Sequence, residues 1–428
     1  MTEAVITDGP VDGRGERSRI ADRRGRNAWV LVVFTILTNL ADGITKIALP
    51  MIATSLTHSP ALVSGVLLTL SLPWLLIALP VGVLVDRADR RGLLWVAGGM
   101  QMAIVLVLLA LVAADRMTLP VLYAGGAALG VAEVIALTSA AAIVPAAVAP
   151  AGRQRVNTWM SAAETLCNEF AGPFLGGLLM VAGAAVALGT TVGGYLLAMV
   201  FLVFLAGRFR VQRAVGGPVP SVREQAAEGV RFLWRQRLLR MLALTVAVLA
   251  TCWGAWFALM PLVATRMMGL NAGEYGALVA ALGVGGVVGT LAVGVLNRLF
   301  GRRRVMFANV FLTCAMVAVP AATTNVWAVG FAAFLGGLGG GLWTVNSRTL
   351  SQVLVDPDMM GRYSAASRLF GWGSIPLGTA LAGALAQWFG PQAAFGVFAA
   401  ATAVIVVPFL RTFTSDALTD IEARLARG

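Results

Sequence analysis

Only three cysteines, one histidine and one lysine occur among 428 residues, and just 12% of the chain is charged. Cys167, Cys252 and Cys314 lie far apart, each in an apolar run, so the spacing supports neither a disulfide framework nor a metal cluster. His58 sits in a short link and reads as an exposed loop histidine rather than a ligand. No G-x-x-x-x-G-K-[ST] loop is present, which removes the common phosphate cradle and with it ATP as the expected energy source. No nucleophile and base are arranged for catalysis, so neither an enzyme nor a cofactor or metal site is expected. The scarcity of charge decides the class. A soluble domain carries about 25% charged residues, whereas this chain combines half that with 58% hydrophobic residues and a mean hydropathy of +0.83. It reads as a polytopic membrane protein.

What is present is a regular series of about twelve apolar runs, each long enough to span about 30 Å of hydrocarbon. Backbone groups in lipid must pair internally, and short alternating segments suited to a barrel are absent, so an all-α bundle is expected. The polar, arginine-rich start does not read as a secretion signal. Composition divides the chain into residues 1–27, expected to be disordered; a six-helix half over 28–207; a linker over 208–240; a second six-helix half over 241–411; and a tail over 412–428. In the linker, Val222, Ala226, Val230 and Leu233 recur at helical spacing, which predicts an amphipathic helix lying on the membrane surface.

The net charge of +12 invites a nucleic-acid reading, but its placement excludes one. Apart from Arg116 and Arg266, and from Lys46, Arg348 and Arg368 within spans, every basic residue falls in the termini and in alternate links that share one face. That asymmetry predicts both termini in the cytoplasm of a cell membrane.

The chain also repeats itself. Gly82-x-Leu84-x-Asp86-Arg87-x-x-Arg90-Arg91 joins spans 2 and 3, and Gly294-x-Leu296 followed by Arg302-Arg303 occupies the matching place half a chain later. Pro50-Met51-Ile52-Ala53-Thr54 likewise matches Pro261-Leu262-Val263-Ala264-Thr265. Two matches at nearly one offset imply two homologous halves. In the second copy Arg298 stands where the first has Asp86.

Four acids lie inside spans: Asp42, Glu133, Glu164 and Glu169. Each costs roughly 2.5–3.5 kcal/mol at mid-membrane, so each is expected to face an aqueous cavity or a partner. Asp42 has Lys46 at i+4, so a local ion pair is its alternative to a proton or substrate site. Glu133 has no basic neighbour at helical spacing and is the first candidate for the proton, with Asp42 and Glu169 after it. Glu164 and Arg368 lie roughly 8–10 Å inside spans 5 and 11, at about 1.5 Å per residue, and are expected to attract each other as a gate. In span 5, Asn168, Gly172 and Gly176 form one stripe and Glu169, Pro173 and Gly177 the next, giving a smooth surface for close helix contact. Asn39, Trp253, Trp256, Phe257, Trp343 and Trp372 are candidates for the walls of a substrate cavity.

The Asp86 motif resembles the loop motif of the major facilitator superfamily, over roughly residues 28–411, and its degenerate second copy strengthens the resemblance. Gly172-Pro173-Phe174-Leu175-Gly176-Gly177 resembles the span-five motif of the proton-driven exporters in that superfamily. Asn39-x-x-Asp42-Gly43, Glu228-Gly229-Val230-Arg231-Phe232-Leu233 and Gly371-Trp372-Gly373 with Pro376-Leu377-Gly378 are similar to its macrolide, multidrug and enterobactin exporter branch. The resemblance implies a drug–proton antiporter working by alternating access, with small-molecule substrate, protons and the bilayer as partners and with no nucleic acid. A monomer is expected, in a bacterial cell membrane. It also implies that Asp86, with Arg90 in the same motif, meets the start of span 11 near Arg362 when the inner side closes. A dedicated siderophore or natural-product exporter is the alternative, and a non-transporting membrane sensor on the same scaffold is a weaker one.

Overall fold

The computed structural model describes residues 13–207, 209, 222–356 and 359–413. Among these residues there are helices and connecting links and no strand. The chain enters through α1 (Gly13–Leu56), and span 2 is divided into α2 (Pro60–Leu76) and α3 (Ala78–Arg87). Next come α4 (Arg90–Ala113) and α5 (Leu119–Ala147). Span 5 is α6 (Pro150–Ala163), a π-helical stretch Glu164–Ala171 and α7 (Gly172–Ala182). Span 6 is α8 (Ala184–Val203), and the linker holds α9 (Val222–Arg235). The second half comprises α10 (Arg237–Leu262) with a π turn over Val263–Met267, α11 (Ala272–Phe300), α12 (Arg302–Ala322) and α13 (Val326–Leu354). It closes with α14 (Met360–Gly371), α15 (Ser374–Phe389) and α16 (Pro391–Thr412).

Eleven of the described helices are long and apolar enough to cross a membrane, and the shorter α2 together with α3 completes twelve spans. Trp29 at one end and Trp327 and Trp388 at the other are largely exposed, as in the aromatic belts at membrane interfaces. The outcome differs from the sequence reading in three places. Gly13–Asn27, part of the stretch expected to be disordered, is helix continuous with span 1. Span 2 breaks at Ile77, between Pro73 and Pro80, where proline removes ladder bonds. Span 11 breaks at Trp372–Gly373. The first part of the linker and the tail beyond Phe413 fall outside the described residues.

The π-helical stretch has a local cause. Pro173 has no N–H to offer the carbonyl one turn earlier, and the Gly172 N–H bonds to Cys167 five residues back. The turn sits at the same relative place in its half as the break in span 11 does in the other.

Glycines set the tightest helix contacts. A methyl group on Gly337 would overlap the Leu282 carbonyl and one on Gly285 the Phe334 carbonyl, so spans 8 and 10 touch backbone to backbone. In span 5, Gly172 and Gly176 lie against Gly43 and Ile44 of span 1, while Gly177 lies against Gly276 of span 8. Of the second predicted stripe, Gly177 crosses between the halves, whereas Pro173 and Glu169 meet Gly43 and Lys46 of span 1.

The halves meet firmly on the face opposite the linker. There Ser59 Oγ donates to Gln387 Oε1 at 2.7 Å and Arg266 Nη2 donates to the Thr54 carbonyl at 3.0 Å. Gly383 adds a close approach of span 11 to Ala61 and Ser64 of span 2. Towards the linker face the halves separate around a cavity.

Candidate functional site

The cavity has an inner and an outer chamber that share Trp74, Glu169 and Trp372 as walls. The inner chamber, about 250 Å³, is lined by Asp42, Lys46, Glu133 and Tyr195 from the first half. Opposite them stand Val246, Trp253, Phe257 and Ile375 from the second half. Polar groups thus occupy one wall and aromatic and aliphatic groups the other. Trp74 and Trp372 meet across the halves with ring centroids 5.4 Å apart.

The charged wall is built from spans 1, 4 and 5. Lys46 does not pair with Asp42, although the i+4 spacing allows it. The Lys46 ammonium donates to Glu169 Oε1 at 2.9 Å and lies 5.7 Å from the centre of the Trp372 ring. The π turn is what delivers Glu169 and Asn168 to different neighbours. Asp42 instead accepts from Tyr195 OH at 2.6 Å and from Gln101 Nε2 at 3.0 Å. Glu133 accepts from Asn168 Nδ2 at 3.2 Å, and the same amide donates to Asn39 Oδ1 at 3.1 Å. Gln101 Oε1 and Asn168 Oδ1 are buried and accept no hydrogen bond. Each carboxyl therefore has beside it an amide whose oxygen is unpaired.

The outer chamber, about 470 Å³, continues to the linker face and is lined by Glu164, Arg348 and Arg368 together with Ser161, Ser351, Gln352 and Ser367. Glu164 and Arg368 look into one space without closing to an ion pair. Trp343 lines a side pocket next to Thr344 and Arg348.

Two expected wall residues lie elsewhere. Trp256 is wholly buried, edge-on to Phe257, because its stripe of span 7 turns into the core. Asn39 is buried too, donates to the Thr35 carbonyl at 2.8 Å and holds Asn168 in place. Arg362 pairs with Glu228 of α9 at 2.7 Å. The Asp86 side chain, its expected neighbour, falls outside the described side chains. Arg90 donates to the Ala142 carbonyl at 2.6 Å and so ties the loop motif to span 4. Trp74, Gln101 and Tyr195 were not singled out from the sequence. A glutamine and a tyrosine within apolar runs were the available signals, but neither reveals which acid it will meet.

A family model described as the Major Facilitator Superfamily matches residues 31–371 and 254–424. The multidrug efflux pump Tap of Mycolicibacterium fortuitum is 26% identical over 385 residues, covering 86% of this chain and 92% of that protein. Among solved structures, a bacterial homologue of the iron transporter ferroportin in its inward-facing state gives a TM-score of 0.68 at 17% identity, covering 90% of this chain and 98% of that one. The nucleoside transporter NupG gives 0.66 at 11% identity, covering 91% of this chain and all of that one (100%). At such identities the structural likeness concerns the fold. The family match runs through both halves and includes the repeated loop motif, and the chain belongs to the major facilitator superfamily.

Proposed function

We propose that this protein is a secondary active exporter that expels a bulky organic compound in exchange for protons. The observation that carries the reading is the inner wall, where Asp42 and Glu133 reach one cavity, each beside an amide with an unused acceptor, opposite an aromatic surface. A carboxyl that is neutral when facing one side and ionised when facing the other would hold substrate and proton in opposition, as antiport requires. The aromatic wall accepts varied apolar or cationic bodies. Export, rather than uptake, follows from the span-five run Gly172-Pro173-x-x-Gly176-Gly177 and agrees with the relation to an efflux pump. The arginine-rich linker face is taken as cytoplasmic, so the cavity in this conformation faces inward and the contacts around Ser59 and Gln387 close the outer side.

The test is the full chain in proteoliposomes with an imposed pH gradient and a cationic rhodamine ester as substrate. Dye should accumulate against its gradient, with a counterflow of protons recorded by an internal pH dye. If flux of the ester ignores the pH gradient and no protons move, the antiport reading fails.

A further inference from the structure

Several arginines on the linker face find partners. Arg153 donates to the Pro145 carbonyl at 2.6 Å, Arg90 to that of Ala142 at 2.6 Å, and Arg362 pairs with Glu228 at 2.7 Å. Arg348 of span 10 and Arg368 of span 11 are different. Both open into the outer chamber, and neither guanidinium makes a hydrogen bond or ion pair with a described residue. Together they present ten N–H donors. Both side chains are exposed to the chamber, and the two guanidiniums repel each other across it. The carboxylate in the chamber, Glu164, belongs to the opposite half; it attracts both guanidiniums across the space without closing to an ion pair. Hydroxyls of Ser161, Ser351 and Ser367 surround the space. Such a chamber has the chemistry of an oxyanion site, since guanidinium forks match carboxylate and phosphate oxygens. The inner chamber next to it has the reverse character, with two carboxyls beyond the Lys46–Glu169 pair.

We propose that Arg348 and Arg368 form an anion subsite and that the exported compounds are amphoteric, with a carboxylate or comparable oxyanion at the two guanidiniums, an aromatic body against Trp74 and Trp372, and a basic group towards Asp42 and Glu133. The substrate part rests on the reading of this cavity as the transport path. Glu164 then acquires a role in release. On closure it competes with the substrate's anion for Arg368 and so favours passage to the inner chamber. A lipid phosphate has the same chemistry as a substrate anion, and the experiment separates the two.

The full chain in phosphate-free maltoside micelles is treated with phenylglyoxal, and the modification rates of Arg348 and Arg368 are followed by peptide mass spectrometry, with Arg153 as internal control. Benzoate, a zwitterionic rhodamine acid and its cationic methyl ester are the probes. Benzoate at about 50 mM should slow modification of both arginines about fivefold, as a site with a Kd of about 12 mM would, and leave Arg153 unchanged. The rhodamine acid should protect at least about tenfold better than its ester, and Glu164→Gln should lower the benzoate concentration giving half-protection about threefold. Absence of protection by benzoate overturns the subsite. Equal protection by acid and ester overturns it too, because the aromatic body alone would then be blocking access. Protection that appears only after adding phosphatidylglycerol assigns the arginines to a lipid headgroup and overturns the substrate assignment. The assay uses no pH gradient, so its failure leaves the antiport reading standing, and loss of proton-coupled flux with protection intact does the reverse.

Discussion

The Lys46 ammonium lies 2.9 Å from Glu169 Oε1 and 5.7 Å from the ring centre of Trp372, so one cation joins spans 1 and 5 and touches the opposite half. Both partners are about a quarter exposed, at 23% and 27% of the side chain, which limits the strength of the pair. Removing one partner of a well-buried pair costs about 3–5 kcal/mol, whereas an exposed pair is worth about 0–1. Between those limits, Glu169→Gln should destabilise by about 1–2 kcal/mol, because Lys46 keeps the nearby carboxyls Asp42 and Glu133. Lys46→Gln should cost more, since it leaves three acids around one chamber. The double variant should be more stable than Lys46→Gln alone. Thermal unfolding in detergent checks the order, and strict additivity would remove the coupling.

The contact between Gly177 and Gly276 has no room for a side chain. Gly177→Val should therefore wedge the face opposite the linker and push the halves apart there. Ser64 is buried on that face, where span 2 meets span 7, and supplies the reporter. In a background with Cys167, Cys252 and Cys314 replaced, a Ser64→Cys variant should resist a membrane-impermeant maleimide and react at least about tenfold faster once Gly177→Val is added. Unchanged labelling would show that the glycine pair is no seal.

Two contacts hold the linker helix to span 11, and their magnitudes differ. The Glu228–Arg362 pair is about half exposed on the acid side (48%) and is worth about 0–1 kcal/mol. Gly229 faces the Arg362 carbonyl so closely that any Cβ would overlap it, while Leu233 is buried and Trp234 stacks on Phe370 with centroids 5.9 Å apart. Packing dominates, so Glu228→Gln should leave limited proteolysis of the linker nearly unchanged, and Gly229→Leu should release α9 and speed cleavage several-fold. Equal protection in both variants would contradict this ranking.

Much of this architecture was legible because lipid restricts the options. Twelve apolar runs, the Gly82–Arg91 motif and its copy at Gly294 determine the helices, their number and the twofold plan. Breaks in the spans were less legible. Pro73 and Pro80 were visible, but the turn at Ile77 depends on how span 2 leans on span 4 through Gly130. Residues of the site were found as a set of acids and aromatics, while their pairing was not. The i+4 rule favoured Asp42–Lys46, and the actual partner of Lys46 lies 123 residues away, brought there by a π turn that no local period announces. Trp256 shows the same limit from another side: neighbours at positions 253, 256 and 257 are equally aromatic, and only the rotation of span 7 decides which face the cavity.

The charge pair that would close the linker face is Glu164 with Arg368. They share the outer chamber without closing to an ion pair in this conformation, and their attraction grows when the halves come together. Single changes, Glu164→Arg or Arg368→Glu, should place like charges opposite each other and cut transport about tenfold or more. The double swap restores opposite charges and should recover part of the loss. Rates in proteoliposomes provide the cycle, and a swap no better than the product of the two single effects would remove the gate.

Proton coupling makes the sharpest demand on the inner chamber. Glu133 and Asp42 both reach it, but their neighbours differ. Asp42 accepts from two donors, Tyr195 OH at 2.6 Å and Gln101 Nε2 at 3.0 Å. Glu133 has one amide donor, Asn168 Nδ2 at 3.2 Å, whose other oxygen is unpaired. Protonation of Glu133 therefore disturbs a single amide donor, while Asn168 keeps its hydrogen bond to Asn39 Oδ1. Under the antiport reading, Glu133 is the expected carrier and Asp42 the expected attractor of a cationic group. Glu133→Gln should then abolish accumulation driven by a pH gradient while downhill exchange of the dye persists, because the cavity is intact. Asp42→Asn should weaken dye binding about tenfold and leave the coupling ratio of protons to dye unchanged. Asn168→Leu, which removes the amide donor to Glu133, should slow coupled flux at every pH and spare downhill exchange. Vesicles carrying Glu133→Gln that still concentrate dye under the imposed gradient would move the proton site to Asp42, and accumulation by the Glu133→Gln, Asp42→Asn double variant would exclude both.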